Sequence, residues 1–165
     1  MENILIRNAE SKDFEAILKI MNHEILNKTS LYDYNERTLE DVQISYDSKL
    51  EKKFPFYVAE KDNKVIGYAY YDSFNPKQGY KYTVEHSIYL ADGFEGFGLG
   101  KMLMSKLIDY AKNTGIKTMI GLIDNQNAIS IAFHIKFGFT KVGVMEKVGF
   151  KFNKWLDCCI MQLHL

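Results

Sequence analysis

A glycine-rich run, Gly96-Phe97-Gly98-Leu99-Gly100-Lys101, joins two stretches of different period. Before it, residues 83–90 alternate in polarity, which predicts a strand. After it, residues 101–114 repeat their apolar positions at helical spacing. A strand that turns into a helix over glycines confines the chain to folds in which a helix covers a sheet. Glycine tolerates left-handed torsions and lets a ligand approach the backbone. The first N–H groups of the helix lack internal partners, so the junction can cradle an anion, with a pyrophosphate as the usual guest. A plain tight turn uses the same residues, and the run alone does not separate the two.

The 165 residues suit one domain with its own core and are too few for two ordinary ones. Lys plus Arg, 21, balances Asp plus Glu, 21, which argues against a nucleic-acid or anionic-membrane surface and leaves a local anion site open. No apolar run is long enough to span a bilayer, and Met1-Glu2-Asn3 lacks the layout of a signal peptide. Cys158 and Cys159 are neighbours, poorly placed for an ordinary disulfide and without metal-ligand spacing around them. They read as small apolar residues of a late strand, and a reducing cytoplasm is expected.

Periodicity predicts a strand at 4–7, then a helix capped by Ser11 with Phe14, Ile17, Leu18, Met21 and Ile25 on its apolar face. A loop follows over 27–35. Thr38 and Asp41 form a capping-box pattern before a second helix carrying Val42, Tyr46 and Leu50. Strands at 56–60 and 65–72 flank a hairpin turn at 61–64. Beyond the glycine run and its helix, ended by Gly115, come a buried strand (118–123), a short helix (128–137, stopped by Gly138) and strands near 141–150 and 155–163. Hairpins mixed with crossovers imply an α+β, or α/β-type, sandwich with helices on both sheet faces.

Three runs carry a family resemblance. They are Tyr82-Thr83-Val84-Glu85-His86-Ser87-Ile88-Tyr89-Leu90; Asn127-Ala128-Ile129-Ser130-Ile131-Ala132-Phe133-His134-Ile135-Lys136-Phe137-Gly138-Phe139; and Val148-Gly149-Phe150-Lys151-Phe152-Asn153-Lys154-Trp155-Leu156-Asp157, closed by Met161-Gln162. A weaker one is Met21-Asn22-His23 with Thr29. With the glycine run, the chain resembles the GNAT superfamily of acetyl-CoA-dependent N-acetyltransferases. Within it, the chain is similar to the phosphinothricin and methionine sulfone/sulfoximine acetyltransferase branch. The resemblance implies a single GNAT domain over 1–165, a mixed central sheet splayed around a CoA site, no metal, and a homodimer. Two positions depart from the family pattern: Glu95 stands where Gln or Arg is usual, and Phe97 where a basic residue is common. The branch's arginines are replaced at Asn75, Lys77 and Lys81, and Lys lacks the planar fork that grips a carboxylate.

Acetyl transfer to an amine needs a base for the ammonium, donors for the oxyanion and a proton for the departing thiolate. By resemblance, Glu85 is the base and His134 serves the thiol end. Glu85 shares a strand face with Thr83, Ser87 and Tyr89, where a solvated Glu is the alternative reading. For His134 the alternative is a helix-surface histidine. His86 points to the opposite face from Glu85 and is expected to pack in the core. The resemblance gives the cofactor Ile88, Tyr89 and Leu90 for the pantetheine arm, Gly96 to Lys101 (Gly96, Phe97, Gly98, Leu99, Gly100, Lys101) for the pyrophosphate, and Asn127 and Ser130 at the start of the next helix. Asn127 can equally be a plain cap. Gln78, Gly79 and Tyr80, with Glu85, match the acceptor-binding side. Tyr32, Tyr34 and Trp155 can wall the acceptor pocket or pack as ordinary aromatics. The implied activity is acetylation of the α-amine of a small amino-acid-like acceptor. A peptide N-terminus or polyamine as acceptor, and a non-catalytic CoA-binding protein, are the alternatives.

Overall fold

A seven-stranded sheet in the order β1-β2-β3-β4-β5-β7-β6 runs through the computed structural model, which describes residues 4–165. Met1-Glu2-Asn3, read above for a signal peptide, lies outside the described residues. The strands are β1 (Ile4–Asn8), β2 (Phe56–Lys61), β3 (Lys64–Ser73), β4 (Thr83–Leu90), β5 (Thr118–Asp124), β6 (Thr140–Lys151) and β7 (Lys154–His164). The helices are α1 (Phe14–Asn27), α2 (Leu39–Glu51), α3 (Leu99–Asn113) and α4 (Ala128–Lys136). All neighbours are antiparallel except β4 and β5. Among the described residues no helix is long and apolar enough to cross a membrane.

Strand alternation sends odd residues of β4 to one face and even residues to the other. On one face Phe14, Ile17 and Val42 of α1 and α2 bury Phe56, Val58, Tyr68 and Tyr89. On the other, Leu103, Met104 and Leu107 of α3 cover Tyr57, Tyr71, Val84 and Met119. The two-sided arrangement predicted from the element order is present. Cys158 and Cys159 are free and buried in β7, the late strand in which they were expected to pack.

Local signals held at most element ends. Thr38 accepts the Asp41 N–H and the Asp41 carboxylate accepts the Thr38 N–H, the reciprocal pair of a capping box. The β2–β3 turn places Asp62 and Asn63 at φ 49 and 60, the double left-handed turn that suits right-twisted strands. Three expectations fail. Ser11 does not cap α1; Asp13 takes the Glu10 N–H at 2.8 Å, and a short 3-10 turn precedes the helix. Asp13 is fixed there by Arg7, a strand residue outside the local pattern. Leu50, assigned to the buried stripe of α2, is 53% exposed; the buried position at that end of the helix is its neighbour Lys49, held to the sheet by Asp72 at 3.2 Å. The helix after the glycines starts at Leu99 rather than at residue 101.

Candidate active site

β4 and β5 pair only at Thr83↔Thr118, Val84↔Met119 and Glu85↔Ile120. Past Glu85 they diverge: β4 stays with β3 up to Leu90, and β5 stays with β7 up to Asp124. The outer part of β4 thus faces a wedge instead of a neighbouring strand. A cavity of about 590 Å³ fills it. Ile88, Tyr89 and Leu90 form one side; Asp124, Gln126, Asn127 and Ser130 form the other. Glu24, Lys28, Thr29 and Ser30, from the end of α1 and the loop after it, close the α1–α2 face, with Phe152 and Lys154 of the β6–β7 hairpin beside them.

The glycine run bends at the mouth of this wedge. Gly96 and Gly98 have φ 83 and 80, and a Cβ built on either meets nothing within 4 Å. These glycines are required by backbone conformation, and the space over them is open. The first helical bond of α3 is Met102 N–H to Gly98 O, so the N–H groups of Leu99, Gly100 and Lys101 have no acceptor within the helix. Gly98 has no side chain to cap them. A bare helix start beside an open cradle fits a pyrophosphate. Gly100 differs: it is helical, and its Cβ would touch the Phe133 ring at 3.5 Å. Glu95, the departure from the family pattern, accepts the Gly93 N–H at 3.0 Å and lies 3.6 Å from Lys28 Nζ, which offsets its charge. The Phe97 ring lines a separate apolar hollow with Ile4, Ile66 and Leu99 rather than the cradle.

Glu85 is the last β4 residue paired with β5, so it stands at the closed end of the wedge. It lies on the α1–α2 face, opposite Asp72 of β3. Among the described residues its carboxylate has no hydrogen-bond or ion-pair partner. Burial, with a further contribution from the Asp72 charge, holds its pKa above the usual glutamate value. Asp72 is itself neutralised by Lys52 at 2.7 Å and Lys49 at 3.2 Å. A half-buried, unpartnered carboxylate of raised pKa can take a proton from an incoming ammonium.

His134 takes an unexpected position. Its Nδ1 lies 2.7 Å from Ser130 O, and its Nε2 lies 3.0 Å from His86 Nε2. Ser130 O can only accept, so His134 carries its proton on Nδ1 and receives the His86 Nε2–H on Nε2 (an assignment made from this network). His86 Nδ1 is then a buried acceptor without a donor, as the structure shows. Burial holds both pKa values below the usual histidine value, that of His86 to about 3, with His134 a secondary cause there. Gly121 lies against the pair; a Cβ on it would stand 3.1 Å from His86 Nε2. His86 thus faces away from Glu85 as expected, and pairs with the candidate acid. His134 does not line the cavity; Ser130 does, with its Oγ 3.5 Å from His134 Nδ1.

Asn127 caps α4 by accepting the Ser130 N–H at 2.9 Å and also lines the cavity, so both readings of it hold in geometry. Gln78, Gly79 and Tyr80 form an exposed 3-10 turn leading into β4, and they do not line the cavity. Tyr32, Tyr34 and Trp155 stand outside the lining as well. Sequence reasoning missed Glu24, Lys28 and Asp124. They sit at the ends of elements whose periodicity gives no hint that α1 and β5 converge, and only the weaker family run, Met21-Asn22-His23 with Thr29, pointed near them.

Residues 6–160 match the family model described as Acetyltransferase (GNAT) domain. The chain belongs to the GNAT acetyltransferase family. The L-methionine sulfoximine/L-methionine sulfone acetyltransferase of Salmonella typhimurium is 40% identical over 162 residues, 97% of this chain and 94% of that one. A GNAT superfamily phosphinothricin acetyltransferase from Sinorhizobium meliloti, solved in complex with AcCoA, matches with a TM-score of 0.95 and 32% identity, covering 98% of this chain and 88% of that one. A ribosomal-protein-alanine N-acetyltransferase from Brucella melitensis matches with a TM-score of 0.96 and 35% identity, covering 98% and 99% of the two chains.

Proposed function

We propose that this protein transfers the acetyl group of acetyl-CoA to the α-amine of a small amino-acid-like acceptor, of the phosphinothricin or methionine sulfone/sulfoximine type. The wedge between β4 and β5 carries the reading, because its open end is a helix-start anion cradle and its closed end is Glu85. Acetyl-CoA would supply an activated acetyl thioester. The N–H groups at 99–101 would hold its pyrophosphate, with Gly96, Phe97 and Gly98 shaping the loop. The free edge of Ile88, Tyr89 and Leu90 would pair with its amide-bearing arm, and Asn127 and Ser130 would flank that arm.

Tyr89 stands four residues, roughly 13 Å, along the strand from Glu85. An extended arm held at Tyr89 therefore points its far end toward the carboxylate. Glu85 takes a proton from the ammonium, leaving the lone pair free for attack. Ser130 places its hydroxyl on the thiol side. His134, held by His86, positions Ser130 from behind and so acts at the thiol end through Ser130, rather than directly as the resemblance implied. Gln78, Gly79 and Tyr80 lie outside the cavity lining, on the turn that leads into β4; the family resemblance is what assigns them to the acceptor, with Lys77 and Lys81 beside them as partners for a carboxylate.

The protein acts as one domain over 1–165, in the cytoplasm, where its free cysteines stay reduced. It pairs as a homodimer through the open edge of β6. There Val142, Val148 and Phe150, and Trp155 of β7, are exposed on a long strand with one unpaired side, the kind of edge that proteins cover.

CoA release from acetyl-CoA, measured against a panel of acceptors, tests the reading. Methionine sulfone should turn over faster than its amide and far faster than a simple amine. Lys77→Ala or Lys81→Ala should raise KM for the acid more than for the amide. A preference for alanine-led peptides would favour a second reading, acetylation of a protein N-terminus, which the Brucella relative supports. No CoA release with any amine would leave a binding protein.

A further inference from the structure

The run 148–157, one of those that mark the family resemblance, holds two lysines: Lys154 lines the cavity and Lys151 does not. Lys151, the last residue of β6, is 3% exposed. Its ammonium donates to Lys28 O at 2.8 Å and to Leu31 O. Among the described residues no carboxylate pairs with it, and burial pushes its pKa below the usual lysine value, against the more distant charges of Asp33 and Glu24. A buried cation is retained at a cost, so its two acceptors must matter.

Both acceptors belong to the loop between α1 and α2, the wall of the cavity on the Glu85 face. The same short segment is held at further points. Ser30 Oγ donates to Glu24 at 2.6 Å, and Thr29 Oγ1 donates to Asp124. Tyr34 donates to Phe150 O. Gly149 leaves room for the Tyr32 ring, which a Cβ at that position would overlap. Lys28, Thr29 and Ser30 line the cavity in front of these anchors, and Lys151 stands behind them.

We propose that Lys151 is a positioning residue for the acceptor, acting through the backbone of residues 28–31 to set the width of the acceptor side of the cavity. The inference rests on the acetyl-transfer reading above. Lys151 touches neither substrate nor cofactor; it draws two carbonyls onto one point, and the side chains between them then face the cavity in one arrangement. Gly149 assists by admitting Tyr32 beneath the same loop.

Lys151→Met keeps length and apolar stem and removes the donors. With methionine sulfone as acceptor it should raise KM tenfold or more, with kcat changed less than threefold and acetyl-CoA affinity by calorimetry within twofold. Lys151→Arg should fall between Met and wild type. Unchanged KM in a folded Lys151→Met protein, or equal losses for acceptor and cofactor, would overturn the proposal. If Lys151→Met does not fold, Gly149→Ala displaces Tyr32 from the other side and must show the same selective rise in KM; a normal KM there refutes the latch. If wild type acetylates no amine, the reading of function fails, and hydrogen exchange judges the latch alone. Amides 28–32 should exchange at least tenfold faster in Lys151→Met or Gly149→Ala than in wild type, and equal rates would sink it.

Discussion

The two sides of the cavity are built differently. The side given to the cofactor is main chain: the free edge of β4, left-handed glycines at 96 and 98, and the capped start of α4. The side given to the acceptor is a loop with no regular structure, held by one side chain of the helix before it, Glu24 of α1, and by two from distant strands, Asp124 of β5 and Lys151 of β6. Main-chain geometry changes only when the fold changes, whereas a loop held by side chains can be re-cut by single substitutions. A family that keeps one cofactor and varies its acceptor would use this division, and the relatives named above differ in acceptor while sharing the fold.

The largest expected effect falls where the two sides meet. Glu85→Gln keeps shape and loses basicity, and kcat should drop by ~10²–10⁴-fold, the usual worth of an acid/base group. Acetyl-CoA affinity should stay within twofold in calorimetry, and the defect should shrink as pH rises and more free amine is present. Normal turnover at neutral pH would remove Glu85 from the reaction. Gly98→Val breaks only the main-chain side, by forcing a β-branched residue to φ 80. Acetyl-CoA at ~100 times its Kd should stabilise wild type by roughly 2.7 kcal/mol, and this thermal shift should vanish in the variant. A retained shift would mean the cradle is not the pyrophosphate site.

The histidine pair behind the main-chain side gives a pH signature. Both histidines have folded pKa values below the unfolded value near 6.5. Above that pH neither state binds the protons, and the pair has no effect. As pH falls below it, the unfolded chain takes up protons the folded pair refuses, so stability declines by up to about 1.4 kcal/mol per pH unit for each histidine. For His86 the decline continues toward about 3. Urea melts of His86→Phe against wild type between pH 7 and 4 should show the slope reduced; equal slopes would mean the pair is not neutral. The smallest effect is expected from Asn127→Ala, which removes the α4 cap at a cost of ~1 kcal/mol in Tm-derived stability. Loss of acetyl-CoA affinity beyond that of a control cap variant, Thr38→Ala, would assign Asn127 to the cofactor as well.

The contrast between the sides also explains what the sequence made legible. The glycine run, the Asn127 cap, the face of Glu85 and the turn at 61–64 are local, written in residues that touch within a few positions of one another. The acceptor-side latch joins Lys151 to Lys28 across 123 positions, and Thr29 to Asp124 across 95. No periodicity reports such a contact. His134 shows the same limit: its place in α4 was legible, but the partner that claims its Nε2 lies 48 positions away in β4. The run at 148–157 was visible only as part of the family resemblance, and the reason for Gly149 and Lys151 within it required the loop they hold.

The split between β4 and β5 has one further consequence, for how long the protein survives. A sheet left open in its middle is a fold completed by a small molecule, and that molecule opposes the openings through which proteases act. In a cell the lifetime of this chain would then follow the total supply of the cofactor, acetylated or not, because the cradle and the free strand edge face the part that both forms share.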